Sequence, residues 1–170
     1  MDYVSLIRDV PDFPIEGILF KDITPLIGHG AAYRQVIDGL AEGLRPFEAD
    51  LVVGMESRGF IFAAPLAYAL GLGFVPVRRL GKLPAAAIRV EYELEYGRNS
   101  FEIHSDAVQP GQRVLIVDDV LATGGTVNAT ISLVEQLGGQ VAAVAFLMEL
   151  KALDGRRHLA NRQVVSLIEC

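Results

Sequence analysis

Cysteine is almost absent from this chain of 170 residues, because the only one is the last residue, Cys170. An internal disulfide is therefore excluded, as is usual for proteins of the reducing cytoplasm. Basic residues are also scarce: 15 Lys and Arg residues face 21 Asp and Glu residues, and the formal net charge is −6. Such a chain lacks the broad basic face that nucleic-acid binding needs. Any anionic ligand must be held by local backbone N–H groups and a few Arg or Lys side chains.

Long apolar runs are missing as well, because Gly, Pro or charged residues interrupt each run well short of the roughly 20 residues that a membrane span requires. The chain opens with Met1, Asp2 and Tyr3, and this acidic start does not suit a secretory signal. Hydrophobic residues make up 51% and charged residues 21% of the chain, which is the balance of a globular domain. We therefore expect one cytoplasmic domain that binds neither membranes nor nucleic acid.

The most informative stretch is 114–126, where four apolar residues lead directly to two carboxylates, Asp118 and Asp119. The apolar run 113–117 predicts a strand that is buried on both faces of a parallel sheet. The carboxyl ends of such strands are where open α/β sheets bind ligands. Small residues follow whose backbone N–H groups could surround an anion at the start of the next helix; they are Ala122, Thr123, Gly124, Gly125 and Thr126.

This combination suits a ligand with a phosphate at one end and hydroxyl groups or a metal at the other, such as a ribose 5-phosphate. Two adjacent carboxylates would repel each other unless a cation or hydroxyl donors shared them, which argues against a purely structural role. The segment is not a nucleotide P-loop, because no Gly-Lys-Ser/Thr follows its glycines. It also lacks the G-x-G-x-x-G fingerprint of dinucleotide-binding proteins.

The rest of the chain alternates between apolar runs and amphipathic patterns, which predicts an α/β fold. We predict strands at residues 50–54, 74–77, 113–117, 140–149 and 163–168, and a hairpin from 88 to 103. We predict helices at residues 2–9, 31–47, 60–70 and 125–137. The expected architecture is a mostly parallel, twisted sheet with helices on both faces.

A second candidate anion site follows the strand at 50–54. It contains Glu56, Ser57 and Arg58 just before a predicted helix, and a helix N-terminus favours an anion. Arg58 could instead pair with Glu56, which would give it a structural role only.

A third candidate lies in the loop after residue 77, which is small, basic and poorly periodic. Its basic residues are Arg78, Arg79 and Lys82. Such a cluster is usually a solvated surface, but next to a phosphate site it would suit a pyrophosphate group.

The 114–126 segment resembles the motif with which type I phosphoribosyltransferases bind phosphoribosyl pyrophosphate (PRPP). Residues 13–23 resemble the base-binding hood of the adenine phosphoribosyltransferases, and residues 81–97 resemble their flexible lid. The family pattern usually has Pro where this chain has Glu16, and often Arg where it has Lys21. The resemblance covers nearly the whole chain, and it implies a single domain at 1–170 with a hood at 1–27 and a lid at 79–103.

The resemblance also implies roles for individual residues. Backbone groups near Leu19 and Lys21 would read the edges of adenine, and Phe20 would stack on its ring. Asp118 and Asp119 would bind the ribose hydroxyls, directly or through water bound to Mg²⁺, and residues 122–126 would hold the 5′-phosphate. The pyrophosphate would contact Glu56, Ser57, Arg58, Arg78, Lys82 and Tyr96. In this family the loop at Glu56 and Ser57 often contains a non-proline cis peptide, which we predict here as well.

Glu95 matches the catalytic glutamate of the adenine phosphoribosyltransferases. From the residues alone it is one of three glutamates, with Glu91 and Glu93, that alternate along one strand face, and such a face is commonly just solvated. The resemblance implies that Glu95 transfers the proton of the base.

The implied reaction converts adenine and PRPP to AMP and pyrophosphate, a purine salvage step. It implies magnesium ions (Mg²⁺) as cofactor, held mainly through PRPP near the acidic pair, with no direct protein ligand assigned. It also implies a homodimer, across which Arg78 sometimes reaches in this family. Three alternatives stay open: a phosphoribosyltransferase for hypoxanthine, guanine, xanthine or orotate; a non-catalytic sensor of PRPP or nucleotides on the same fold; and a plain interaction domain.

Overall fold

The structure, a computed structural model, describes residues 2–93 and 98–170. Its strands are β1 Arg8–Val10, β2 Phe20–Asp22, β3 Leu51–Met55, β4 Gly73–Arg79, β5 Ala87–Glu93, β6 Arg98–His104, β7 Arg113–Leu121, β8 Gln140–Glu149 and β9 Val164–Glu169. Its α-helices are α1 Thr24–Gly28, α2 Gly30–Leu44, α3 Arg58–Leu70 and α4 Gly125–Gln136. Short 3-10 helices lie at Val4–Leu6, Arg45–Phe47, Lys151–Leu153 and Gly155–Leu159.

Seven strands form one sheet in the order β5-β6-β4-β3-β7-β8-β9. The five strands from β4 to β9 in that order run parallel, and the hairpin of β5 and β6 adds an antiparallel edge. The central β3 is buried along its whole length, as a strand covered on both faces must be. The predicted α/β fold with a mostly parallel sheet and flanking helices is confirmed.

The apolar core lies in two layers, one on each face of the sheet. Val52 on β3 joins the cluster that contains α2 and α3, whereas its neighbour Val53 joins the cluster that contains α4. On β7, Val117 and Ile116 divide in the same way, because successive side chains of a strand point to opposite faces. The helices therefore cover both faces and leave the carboxyl ends of the parallel strands accessible.

The predicted helix at residues 2–9 is wrong. A 3-10 helix at Val4–Leu6 is followed by β1, which pairs antiparallel with β2 in a separate two-stranded sheet. Arg8 lies opposite Asp22 and contacts it at 2.6 Å, and Asp9 lies opposite Lys21 at 2.7 Å. These cross-strand ion pairs stabilise an extended conformation that the local apolar spacing did not reveal.

The strand predicted at 113–117 is longer than expected, because β7 continues to Leu121. Asp118 lies opposite Phe146 and Val120 opposite Met148, so the acidic pair belongs to the paired strand itself. No helix within the described residues is long and apolar enough to cross a membrane.

Candidate active site

A cavity of about 560 Å³ lies at the carboxyl ends of β3 and β7 and beneath β2. It brings together ten of the residues selected from the sequence: Leu19, Phe20, Lys21, Glu56, Ser57, Arg58, Asp118, Asp119, Ala122 and Thr126. These residues come from three segments that are far apart in the chain. Their convergence at one edge of the sheet is the position expected for a ligand site in an open α/β fold.

A smaller cavity of about 170 Å³ adjoins the first and is lined by residues 120–127 with Phe146. Thr123, Gly124 and Gly125, which the larger cavity does not include, line this smaller one with Ala122 and Thr126, and we call residues 122–126 the cradle. Gly124 precedes α4 with a φ of +89°, a left-handed conformation that favours glycine. The first backbone N–H groups of α4 have no acceptor within the helix, so this cradle is suited to an anion.

The acidic pair has an unusual electrostatic environment. Asp119 is 4% exposed, and its backbone N–H donates a hydrogen bond of 2.9 Å to Oδ1 of Asp118. Burial raises the pKa of Asp118 well above its ordinary value, and the neighbouring charge of Asp119 raises that pKa further. A carboxylate held in this way gains most from a ligand that brings positive charge or hydroxyl donors.

Gly59 allows α3 to approach the acidic pair. A Cβ atom at position 59 would lie 2.8 Å from Oδ1 of Asp118 and 3.2 Å from the carbonyl oxygen of Val117. Both distances are too short for an ordinary contact, so the second residue of α3 must be glycine for this packing. The start of α3 thereby packs directly against the carboxylate of Asp118 at the edge of the cavity.

Arg58 connects the acidic pair with the N-terminal segment. Its Nε lies 2.7 Å from Oδ2 of Asp119, and its guanidinium carbon lies 5.2 Å from the ring centre of Phe20, within cation–π range. Oδ2 of Asp119 is buried and accepts no aligned hydrogen bond from the described residues, so the contact with Arg58 is one of charge alone. The alternative in which Arg58 pairs with Glu56 is wrong.

Glu56 pairs with Arg78 instead. Nη2 of Arg78 lies 3.2 Å from Oε1 of Glu56, and the backbone N–H of Arg79 donates to Oε2 at 3.0 Å. The hydrogen bond from Arg78 is the main reason why the pKa of Glu56 is lowered. The peptide bond between Glu56 and Ser57 is cis, which confirms that prediction.

Arg78 contacts the 56–58 segment through Glu56, but the cavity lining includes Arg79 and neither Arg78 nor Lys82. Nη1 of Arg78 donates to the carbonyl oxygen of Lys82 at 3.2 Å. The buried carboxylate of Glu102 accepts from the backbone N–H groups of Lys82 and Leu83, each at 3.0 Å. These contacts fix the start of the loop that follows β4. Glu95 and Tyr96 lie outside the described residues.

The N-terminal segment forms one wall of the cavity. Phe20 packs edge-on against Phe13 with 5.2 Å between ring centres, and the guanidinium of Arg58 lies over the Phe20 ring. The ammonium group of Lys21 is engaged with Asp9 on β1 at 2.7 Å. Lys21 therefore reaches the cavity without a free ammonium group.

The acidic pair also fits a divalent cation. The described residues contain no cluster of three or more His, Cys, Asp or Glu side chains that could hold a metal ion by themselves. Mg²⁺ is usually bound by one or two carboxylates together with phosphates and water. Asp118, whose pKa is raised partly by its neighbour's charge, and Asp119, with a buried oxygen lacking an aligned donor, suit that arrangement.

Four cavity residues had no individual role assigned from the sequence: Ile18, Arg79, Val120 and Leu150. Leu150 directly follows β8, the neighbour of β7 in the sheet, so the rule that ligands bind at the carboxyl ends of strands could have found it. Arg79 stood in the basic cluster, but nothing in the sequence distinguished it from Arg78.

Known proteins resemble this chain over its whole length. The family model of the phosphoribosyl transferase domain matches residues 27–166. The adenine phosphoribosyltransferase of Chloroflexus aurantiacus is 61% identical over 168 residues, which are 99% of this chain and 97% of that protein. The crystal structure of adenine phosphoribosyltransferase from Thermoanaerobacter pseudethanolicus superposes with a TM-score of 0.97 at 54% identity, covering 99% of this chain and 98% of that one.

A third relative carries ligands. The crystal structure of the Saccharomyces cerevisiae adenine phosphoribosyltransferase, complexed with an imino-altritol bisphosphate and adenine, has a TM-score of 0.90 at 44% identity, covering 96% of this chain and 94% of that one. Sequence identity of 44–61% over nearly the full length of both chains shows membership of one family as well as a shared fold. The chain belongs to the adenine phosphoribosyltransferase family.

Proposed function

We propose that this protein transfers the 5-phosphoribosyl group of PRPP to adenine and releases AMP and pyrophosphate, a step of purine salvage. The observation that carries the proposal is the convergence of the N-terminal segment, the 56–58 loop and the acidic pair on one cavity, next to the phosphate cradle. The adenine in the yeast relative's crystal structure supports adenine as the acceptor base.

The cradle and the acidic pair bind the donor. Residues 122–126 hold the 5′-phosphate through backbone N–H groups at the start of α4. Asp118 and Asp119 accept hydrogen bonds from the ribose hydroxyls. Together they fix the C1′ atom relative to the base, which accounts for much of the rate that positioning can provide.

The 56–58 loop and the basic residues of the next loop bind the leaving group. As the bond from C1′ to pyrophosphate breaks, positive charge develops on the ribose and negative charge on the pyrophosphate. Arg58, Arg78, Lys82 and Tyr96 would stabilise that negative charge with the loop's N–H groups. Arg58 now contacts Asp119 and Arg78 contacts Glu56, so the pyrophosphate would share or replace these contacts. Mg²⁺ bound with PRPP near the acidic pair would supply further neutralisation of the pyrophosphate.

The N-terminal segment and Glu95 act on the base. The ammonium group of Lys21 is engaged with Asp9, so it is not the group that would contact the base. The backbone near Leu19 and Lys21 would instead form hydrogen bonds with the edges of adenine. Phe20 stacks on the ring once Arg58 has left its face. Glu95 acts as general base for the proton that adenine loses in synthesis.

The remaining predictions concern surroundings rather than chemistry. The hood at 1–27, the lid at 79–103, the homodimer and the cytoplasmic location stay predictions from the sequence and the family. A lid would exclude water, because hydrolysis of PRPP competes with transfer. Sedimentation velocity of the purified protein measures its oligomeric state directly.

The deciding experiment is an assay of AMP formation from adenine, PRPP and Mg²⁺, with guanine and hypoxanthine as parallel acceptors. We expect turnover with adenine and little with the other two bases, and we expect a chelator to abolish it. Preference for another base would favour the other phosphoribosyltransferases. PRPP binding without turnover on any base would favour the sensor on the same fold.

A further inference from the structure

We propose that Arg156 is a positioning residue for the phosphate cradle: paired with Glu149, it holds the backbone of Gly155 against residues 122–126. This inference rests on the proposed function only for the identity of the ligand, a 5′-phosphate. Neither Arg156 nor Glu149 lines the active-site cavity, so neither side chain is placed to touch the ligand itself.

The pair is a two-pronged, charge-assisted contact at the end of β8. Nε of Arg156 donates to both carboxylate oxygens of Glu149, at 2.9 and 3.1 Å, and Nη2 donates to Oε2 at 2.5 Å. Glu149 is 5% exposed, and Oγ of Ser166 on β9 donates to it at 3.2 Å. The hydrogen bonds from Arg156 lower the pKa of Glu149. If Arg156 were lost, this buried carboxylate would lose the cation that hydrogen-bonds to it and keep only the weaker influence of the charge on Lys151.

Gly155 carries this anchor to the cradle. A Cβ atom at position 155 would lie 2.1 Å from the carbonyl oxygen of Ala122 and 3.0 Å from its carbonyl carbon, so the two backbones are in direct contact. The carbonyl oxygen of Gly155 also lies only 3.1 Å from the place of a Cβ on Gly124. One glycine therefore supports two residues of the cradle from behind.

Side chains must anchor the segment, because its own hydrogen bonds are weak. Gly155–Leu159 is a 3-10 helix, whose hydrogen-bond geometry is poorer than that of an α-helix. Gly155 and Leu159 are the buried residues of this 3-10 helix. Arg156 connects the helix to the buried end of β8 through its ion pair with Glu149. Without Arg156 the segment is held to the sheet mainly through Leu159, and the backbone behind the cradle is free to shift.

A neighbouring ion pair offers a matched control. Nζ of Lys151 lies 2.5 Å from Oε2 of Glu169, but both side chains are more than half exposed. Exposed pairs of this kind contribute little to stability. Lys151 also precedes Gly155 in the same connection between β8 and β9, so Lys151→Gln removes a nearby charge without touching the cradle.

The experiment compares Arg156→Gln with Lys151→Gln by calorimetric titration of ribose 5-phosphate and, separately, of pyrophosphate with Mg²⁺. Because misplacement of about 1 Å can cost roughly 10²-fold, we expect Arg156→Gln to weaken ribose 5-phosphate at least about 10-fold. We expect the KM for PRPP to rise while pyrophosphate affinity and the KM for adenine stay unchanged. Lys151→Gln should leave all four quantities unchanged.

Arg156→Lys keeps the experiment decisive if Arg156→Gln does not fold. Lysine retains the charge and loses the two-pronged geometry, so we expect a smaller weakening that is still confined to ribose 5-phosphate. Unchanged ribose 5-phosphate affinity in a folded variant, or equal losses for both ligands, would overturn the inference. A wild-type protein that binds no ribose 5-phosphate would instead overturn the proposed function.

Discussion

Gly59→Ala tests whether the exact place of one carboxylate sets the rate, because it adds a single methyl group and changes no charge. The new Cβ would lie 2.8 Å from Oδ1 of Asp118, where ordinary contacts begin at 3.4 Å. Backbone atoms of Val117 block the other direction at 3.2 Å. The carboxylate or the start of α3 must therefore move by about half an ångström.

Two opposing effects set the expected stability of this variant. Replacing glycine within a helix by alanine favours the folded state by up to about 1 kcal/mol, whereas forcing a methyl group into a packed site costs about 1–3 kcal/mol. The free energy of unfolding should fall by about 0–3 kcal/mol, which leaves the protein folded. Since misplacement of about 1 Å can cost roughly 10²-fold, half that displacement should lower kcat/KM for PRPP about 10-fold.

The assay is steady-state AMP formation with PRPP varied at saturating adenine, alongside thermal unfolding. Gly39→Ala is the control, because position 39 lies inside α2 and its Cβ would meet Leu167 at ordinary distances of 3.5 and 3.6 Å. That variant should gain up to about 1 kcal/mol of stability with unchanged kinetics. Wild-type kcat/KM in folded Gly59→Ala would refute the reasoning that the position of Asp118 matters.

Three further predictions concern ionisable groups. Asp118→Asn should lower turnover sharply yet stabilise the ligand-free protein near pH 7. Because the pKa of Asp118 is raised in the folded protein, its contribution to folding stability is complete below pH 3.8 and is lost as the pH rises through the native pKa. Equal thermal stability of wild type and variant near pH 7 would contradict burial and the charge of Asp119 as the cause. Glu95→Gln should lower kcat by roughly 10²–10⁴ with little change in KM, and near-normal turnover would exclude its catalytic role. Asp22 has a pKa lowered to about 2, chiefly by the N–H of Thr24 and then by Arg8. The ionised carboxylate therefore stabilises the folded protein above pH 3.8, and this stabilisation is lost as the pH falls through about 2. The difference in stability between wild type and Asp22→Asn should disappear over that interval, and a constant difference would contradict the lowered pKa.

The sequence predicts those elements whose pattern lies within a few consecutive residues and whose side chains are fully buried. Residues 114–117 are apolar without interruption because both faces of β7 are covered. Glycine stands at position 124 because the chain turns left-handed there before α4 begins. Since carboxyl ends of parallel strands meet at one edge, the convergence of the 56–58 loop with the acidic pair followed from the strand assignments alone.

The errors arose where a distant partner determines the conformation. β1 is extended because β2, ten residues further along, supplies its hydrogen bonds and ion pairs, and no local pattern contains that information. The strand predicted at 113–117 stops before Asp118 because that residue is polar, but the backbone of Asp118 is still paired with β8. The charge pairs were also beyond the sequence: Glu56 is two residues from Arg58 but pairs with Arg78, on the neighbouring β4.

The separate sheet of β1 and β2 has a consequence for the choice of acceptor base. Within the described residues it forms no strand pairing with the seven-stranded sheet, and the side chain of Arg58 links Phe20 of this small sheet with Asp119. If the N-terminal segment binds the acceptor base as proposed, its backbone can be replaced without changing the register of the strands that precede the proposed donor site. Under that proposal, an exchange of the first two dozen residues would alter the choice of acceptor base and leave the donor site in place.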